Sequence, residues 1–319
     1  MKKGAFVIPY FGHFNNYFQL FLNSCKYNSD YDWIIFTDDK TKYDYPGNVI
    51  VHYTTFNKIK KYIQKKFDFP IALNYPYKFC DLRPMYGYIF SDYLKQYPFW
   101  GHCDVDLIFG KIDEFITDNI RSKYDRIGIL GHFTLYKNIS KVNRAFMLSL
   151  NGKLRYKEVL TVNYNCSFDE EYKESINNIL VQHGFKIYKT VHEASLYTKT
   201  SNFRLNHVRD DWGYDVEPKT KNIFVWNKGK LTRYTLYKNK IKSTDYLYIH
   251  FQSRPMKIRT NDFKYYKIIP NSFDNLEVKE IKVNNFPKWK HFNLHYFRLR
   301  SHNLVMKIRK KLLGTDRKY

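Results

Sequence analysis

Asp104-Val105-Asp106 is the sharpest candidate for chemistry in the chain. It follows Tyr97-Pro98-Phe99-Trp100-Gly101-His102-Cys103, an aromatic run that reads as a short strand. In extended backbone, residues i and i+2 point to one side, so both carboxylates can address a single divalent cation. Hard oxygen ligands suit Mn²⁺ or Mg²⁺, ions that the two phosphates of a nucleotide-sugar also coordinate, and such a metal would stabilise a leaving diphosphate. Acid-x-acid triplets also occur as solvated turns, and Asp30-Tyr31-Asp32 is a second one here. That triplet precedes a strand, whereas ligands of open α/β sheets bind beyond the carboxyl ends of strands, which favours Asp104 and Asp106.

Other candidates are weaker by pattern. Phe168-Asp169-Glu170-Glu171 is an acidic cluster. Asp169 or Glu170 could serve as a general base that takes the proton of an attacking hydroxyl. A solvated helix start after Asn165-Cys166-Ser167 accounts for the same residues. His132 follows an apolar run and is an acceptor-side candidate with the same weakness. His250 stands in Leu247-Tyr248-Ile249-His250-Phe251, where a histidine serves either as a hydrogen-bonded core residue or as a metal ligand.

These residues need elements to position them. Gly4-Ala5-Phe6-Val7-Ile8 reads as a buried strand stopped by Pro9, residues 15–25 carry apolar side chains at helical spacing, and Asp32-Trp33-Ile34-Ile35-Phe36 reads as a second strand. Strand, helix, strand predicts a parallel α/β unit. Further strands are expected at 49–53, 127–131 and 247–251, and a basic helix at 56–67. One helix is expected over 78–94, with Pro84 near its first turn. The expected class is α/β, with one domain over 1–286 and a basic tail over 287–319.

The 319 residues carry 54 Lys and Arg against 30 Asp and Glu, a net charge of +24, which implies an anionic partner. Nucleic acid, acidic lipid and phosphorylated small molecules all satisfy that. Cys25, Cys80, Cys103 and Cys166 lack a C-x-x-C pair, which argues against a disulfide framework or thiolate zinc site and for buried small hydrophobes. No apolar stretch reaches the roughly 20 residues of a membrane span, and the N-terminus lacks signal-peptide character, so a cytoplasmic location is expected.

The runs Lys78-Phe79-Cys80-Asp81-Leu82-Arg83-Pro84-Met85-Tyr86-Gly87 and Phe99-Trp100-Gly101-His102-Cys103-Asp104-Val105-Asp106 resemble the signature of a family of bacterial capsule and surface-polysaccharide glycosyltransferases. Ile8-Pro9-Tyr10-Phe11-Gly12, Ile35-Phe36-Thr37-Asp38-Asp39, Gly131-His132-Phe133-Thr134-Leu135-Tyr136-Lys137-Asn138 and Tyr248-Ile249-His250-Phe251-Gln252 are its further landmarks. The likeness spans residues 8–257 and leaves out the tail. It implies a GT-A fold (a Rossmann-like mixed sheet), a metal-dependent transfer from a nucleotide-sugar, with UDP favoured, and a metal on the acid pair completed by His250. Pro9, Tyr10, Phe11, Thr37 and Asp38 would meet the nucleotide, with Asp38 accepting from a uracil nitrogen. Lys78, Asp81 and Arg83 would lie by the donor ribose or sugar, although Asp81 and Arg83 also fit a helix-start acid and an exposed cation. Arg254 and Lys257 would flank the diphosphate, offsetting charge released at bond cleavage.

After residue 286 the chain interleaves Trp289, Phe292, Tyr296, Phe297, Leu304 and Ile308 with Lys and Arg, Asp316 being the one acid. An amphipathic helix on the anionic inner face of the cell membrane is expected, which would suit a glycan or lipid-linked oligosaccharide acceptor. A solvated tail or a helix docking another protein accounts for the same composition. The rival reading is a basic nucleic-acid-binding protein or metal-dependent nuclease. The spread of basic residues and the lack of a nucleic-acid motif argue against it, so no nucleic acid partner is expected.

Overall fold

The computed structural model describes residues 1–170, 173–209 and 213–312, with the backbone alone over 309–312. Glu171 of the acidic cluster, and Leu313, Asp316, Arg317 and Lys318 of the tail, lie outside the described residues. The chain divides into two units. Unit 1 comprises Met1–Val105 and Ile112–Val191, and unit 2 comprises Asp106–Lys111 and the chain from His192 onward.

In chain order the first strands are β1 (Gly4–Tyr10), β2 (Tyr31–Thr37), β3 (Val49–Tyr53), β4 (Phe99–Cys103), β5 (Leu107–Phe109), β6 (Arg126–Leu130), β7 (Phe133–Lys137) and β8 (Ile187–Tyr188). All but β5, which belongs to unit 2, form one sheet of order β3-β2-β1-β4-β7-β6-β8. β3, β2, β1 and β4 run parallel, and β4, β7 and β6 pair antiparallel. The protein is therefore of mixed α/β class. Helix α1 (Phe18–Lys26) joins β1 to β2, making the expected parallel unit. β2 is buried along its whole length, as a strand covered on both faces must be.

Two expectations change in unit 1. β1 continues through Pro9 to Tyr10. β4 pairs with β1 only at Ala5 and Phe6, so on that side no ladder needs the N–H that proline lacks. Residues 78–94 are a chain of short helical turns, Phe79–Leu82, Arg83–Met85, Tyr86–Ile89 and Ser91–Leu94, in place of one helix. Pro84 removes a backbone donor and crowds the carbonyl four residues before it, so the chain tightens to a 3₁₀ turn there. Helix α2 (Phe56–Gln64) forms where expected, started by the Thr55 hydroxyl accepting from the Lys58 amide.

Unit 2 is mostly β-structure. Its strands are β9 (Glu193–Ser195), β10 (Asn206–Val208), β11 (Tyr214–Val216), β12 (Lys221–Asn227), β13 (Lys230–Tyr237), β14 (Lys240–Asp245), β15 (Tyr248–His250), β16 (Lys257–Ile258), β17 (Tyr265–Ile269) and β18 (Ser272–Asp274). A six-stranded sheet has order β14-β13-β12-β17-β18-β16, and β15 lies between β5 and β9 in a three-stranded one. Only β15 was expected. The missed signals are Lys228-Gly229 and Lys238-Asn239, four residues at positive φ that close tight hairpins between β12, β13 and β14.

The basic tail is helical over His295–Leu312. Trp289 departs from expectation, since it packs half-buried on the unit 2 core of Ile223, Val225 and Ile269, which removes it from any lipid-facing set. Phe292, Phe297, Leu304 and Ile308 are exposed. Among the described residues no helix is long and apolar enough to cross a membrane. None of the four cysteines is in a disulfide, and only Cys25 and Cys103 are buried; Cys80 and Cys166 are half-buried.

Candidate metal centre

The strand order places the candidate residues of unit 1. β1 is followed on one side by β2 and β3, and the chain then returns to lay β4 on its other side, so β1 and β4 flank the point where strand order reverses. Ligands of open α/β sheets collect beyond the strand ends at such a point. Residues after β1 and after β4 meet there, the Asn15 side-chain amide donating to the Val105 carbonyl at 3.2 Å. Val105 and Asp106 form a bend, in place of the extended run expected. The Asp104 amide donates to the His132 carbonyl at 3.0 Å, one step beyond the last β4–β7 pair.

Arg83 is the hub of unit 1. One guanidinium nitrogen bonds Asp104 Oδ1, and the other donates to Asp169 Oδ2 at 2.8 Å and to the Gly131 carbonyl at 2.9 Å. The Asp104 side chain keeps 27% of its surface exposed, while Asp169 is buried. Burial pushes the Asp169 carboxyl up to about 7, a shift that Arg83 opposes and Glu170 reinforces. Gly131 is required by close approach, since a Cβ there would lie 2.5 Å from Asp169 Oδ2 and 3.1 Å from the Arg83 guanidinium.

Lys78 and Asp81 act one step behind. Both are buried and ion-paired at 2.7 Å. Asp81 accepts from the amides of Cys166 and Phe168, and Lys78 donates to the Tyr164 carbonyl at 2.6 Å. The pair thus clamps the loop that carries Asp169, through a turn with Ser167 at φ 51°. All three signature residues converge on Asp104 and Asp169 or on the loop that holds them. Glu170 is half-buried, its carbonyl held by Asn177. His132 is buried, and its backbone anchors Asp104.

At the ends of β1 and β2, Asp38 Oδ1 accepts from the Gly12 amide at 2.8 Å and Asp39 accepts from Phe14. Asp38 is exposed, whereas Thr37 is buried and turns its hydroxyl to the Asp39 amide. Tyr10 stacks on Phe14 at 4.6 Å, Phe11 packs on Phe56 and Phe79, and Pro9 is half-buried. Asp39 was not singled out from sequence. Burial works to raise its carboxyl, but hydrogen bonds from Thr41 and from the amides of Phe14 and Thr41 hold it below the ordinary range. The Asp38-Asp39 doublet at a strand end was the available signal.

In unit 2, β5 pairs antiparallel with β15, bringing Leu107 opposite His250. His250 Nε2 lies 3.4 Å from Asp106 Oδ1, and the Ser253 amide donates to Asp106 Oδ2 at 2.5 Å. Burial would raise the Asp106 carboxyl, yet His250 and the Ser253 amide hold it below its ordinary value. Gln252 and Ser253 both adopt positive φ, 51° and 56°, a costly backbone for two such residues that aims the Ser253 N–H at Asp106. Arg254 is 2% exposed and donates to Asn271 and to the Thr200 carbonyl, and Lys257 is exposed. Asp104 and Asp106 are separated only by Val105. Within unit 2, Asp106 and His250 offer a carboxylate and an imidazole, donors that could help hold a metal ion. The donor types fit Mn²⁺ or Mg²⁺.

A search of curated proteins finds no match to this chain. The profile of the family of unknown function DUF6625 matches residues 6–277, which takes in the β1 end, the Arg83 hub, Asp104, Asp106 and His250. The chain belongs to that family of unknown function, DUF6625.

Proposed function

We propose that the chain is a GT-A-type glycosyltransferase that moves a sugar from a nucleotide-sugar, with UDP favoured, to a glycan or lipid-linked acceptor, using Mn²⁺ or Mg²⁺ at Asp104, Asp106 and His250. One observation carries the reading: the acid pair leaves the carboxyl end of β4 beside β1, at the reversal of strand order where an open α/β sheet binds its ligand. A cation held by these residues supplies positive charge against the diphosphate leaving group. The protein's own groups do the rest. Arg83 ties up Asp104 Oδ1 and so fixes the carboxylate's orientation. The exposed Asp38 at the end of β2 is free on one oxygen to accept from a nucleobase. Asp169, tuned to about 7, is the carboxylate suited to take the acceptor's proton near neutral pH.

The test is calorimetric titration with UDP, GDP and CMP, with and without Mn²⁺, on the wild type and on Asp104→Asn/Asp106→Asn. UDP binding that requires Mn²⁺ and weakens at least roughly 100-fold in the double variant is expected, since each ligand contributes steeply to metal affinity. A folded wild type that binds no nucleotide would falsify the reading.

A further inference from the structure

Unit 2 contains a cavity of about 520 Å³ that starts at Gln252 and Ser253, just after His250, and that neither Asp106 nor His250 lines. Its walls are the 252–259 segment, the Pro270–Ser272 turn between β17 and β18, and residues 291–302, the last of which begin the C-terminal helix. Lys257, Arg259, Arg298 and His302 line it, and no Asp or Glu does. None of these four has a carboxylate partner among the described residues. The nearby acid Asp274 is already engaged, by His291 at 2.6 Å and by the Ser272 hydroxyl.

Arg254 adds a second observation from the same segment. It is 2% exposed and bonds Asn271, a wall residue; its hydrogen-bond partners are neutral oxygens and its guanidinium lies over the Phe203 ring at 5.5 Å, with no carboxylate among these contacts. Burial alone pulls its pKa down to about 10, the sign of a cation held out of water without a counter-charge. A buried guanidinium behind a concave wall of exposed cations without carboxylate partners creates positive potential, which favours an anion. The rest of the wall mixes neutral polar groups, among them Gln252 and Asn293, with an apolar set of Met256, Phe292, Leu294 and Leu299.

We propose that this pocket binds a phosphate ester with an apolar substituent, the phosphate held by Lys257, Arg259 and Arg298 and the apolar part lying along Met256, Phe292 and Leu299. The ligand is a lipid phosphate or a soluble phosphate ester of the same character. The site needs neither Asp104 nor a metal, and it assigns Lys257, expected beside the donor diphosphate, to a different phosphate. It gives the tail a second role: residues 291–302 wall a binding site.

The experiment uses the full chain in EDTA, with calorimetric titration of octyl phosphate and inorganic phosphate, and sedimentation with phosphatidylcholine vesicles with and without phosphatidic acid. Octyl phosphate should bind roughly tenfold or more tighter than inorganic phosphate, from burial of the alkyl chain. Arg259→Gln/Arg298→Gln should weaken octyl phosphate roughly tenfold or more, the worth of one or two charge-assisted hydrogen bonds. Lys240→Gln/Lys242→Gln, which removes the same charge from exposed positions on β14, should leave it unchanged. Asp104→Asn, which alters neither the wall nor the Ser253 amide contact, should also leave it unchanged while weakening nucleotide binding, so loss of nucleotide binding and loss of this site are separable. Binding of octyl phosphate with no phosphatidic acid dependence in the vesicles identifies a soluble ester as the ligand, and binding to both identifies the lipid. No octyl phosphate binding by the wild type, or equal losses in the two charge variants, overturns the pocket.

Discussion

Asp169 sits with its carboxylate on Arg83 and is still raised to about 7, because burial outweighs the ion pair. The consequence for stability has a definite sign. The folded state holds this proton up to about pH 7, whereas the unfolded chain releases it near 3.9, so between those values the folded state binds more protons. The contribution is therefore fully present below about pH 4, falls as pH rises towards 7, and is flat above it. Urea unfolding at several pH values should show Asp169→Asn gaining on the wild type across that window. If Asp169 is the base of the proposed transfer, the rate rises through pH 7 in the wild type and loses that dependence in the variant. Gly131→Ala is the companion test, because its Cβ would displace either Asp169 or Arg83. The proposed transferase activity should fall at least roughly tenfold, the low end for losing a placed electrostatic group.

At the scale of elements, the Lys78–Asp81 pair makes the loop 164–169 part of the site. Breaking one partner of a fully buried ion pair leaves an uncompensated charge and costs about 3–5 kcal/mol. Lys78→Met is therefore expected to destabilise the protein by about that amount in denaturant unfolding, and to lower activity further by freeing the Asp169 loop. A change of less than about 1 kcal/mol would mean that the clamp is not fully desolvated. The signature Lys78-x-x-Asp81-x-Arg83 was visible in the sequence, but its division of labour was not. Expected beside the donor sugar, Lys78 and Asp81 instead face inward to backbone groups of a segment far away in sequence, and only Arg83 reaches Asp104. The short turns of 78–94 have the same cause, since helical spacing was legible but the interruption by Pro84 acted locally.

Over the whole molecule, the charge of +24 remains the dominant long-range property. Together with the exposed Phe292, Phe297, Leu304 and Ile308, it supports the proposal that the C-terminal segment meets an anionic membrane. Binding to vesicles containing phosphatidylserine should weaken sharply as salt rises, because the screening length shrinks from about 10 Å at 0.1 M to about 3 Å at 1 M. Phe297→Ser/Leu304→Ser should reduce the salt-resistant remainder. Salt-insensitive binding would point to apolar insertion alone. The sequence by itself determined the parallel β1-α1-β2 unit, the strand ending in the acid pair and the basic helical tail, because periodicity, chain order and composition are local properties. Tertiary structure alone decided that Asp106 meets His250, that Arg83 joins Asp104 to Asp169, and that unpaired cations of the 252–259 segment and the tail line one cavity. Those contacts join residues distant along the chain, and their energies come from burial and pairing that no single segment contains.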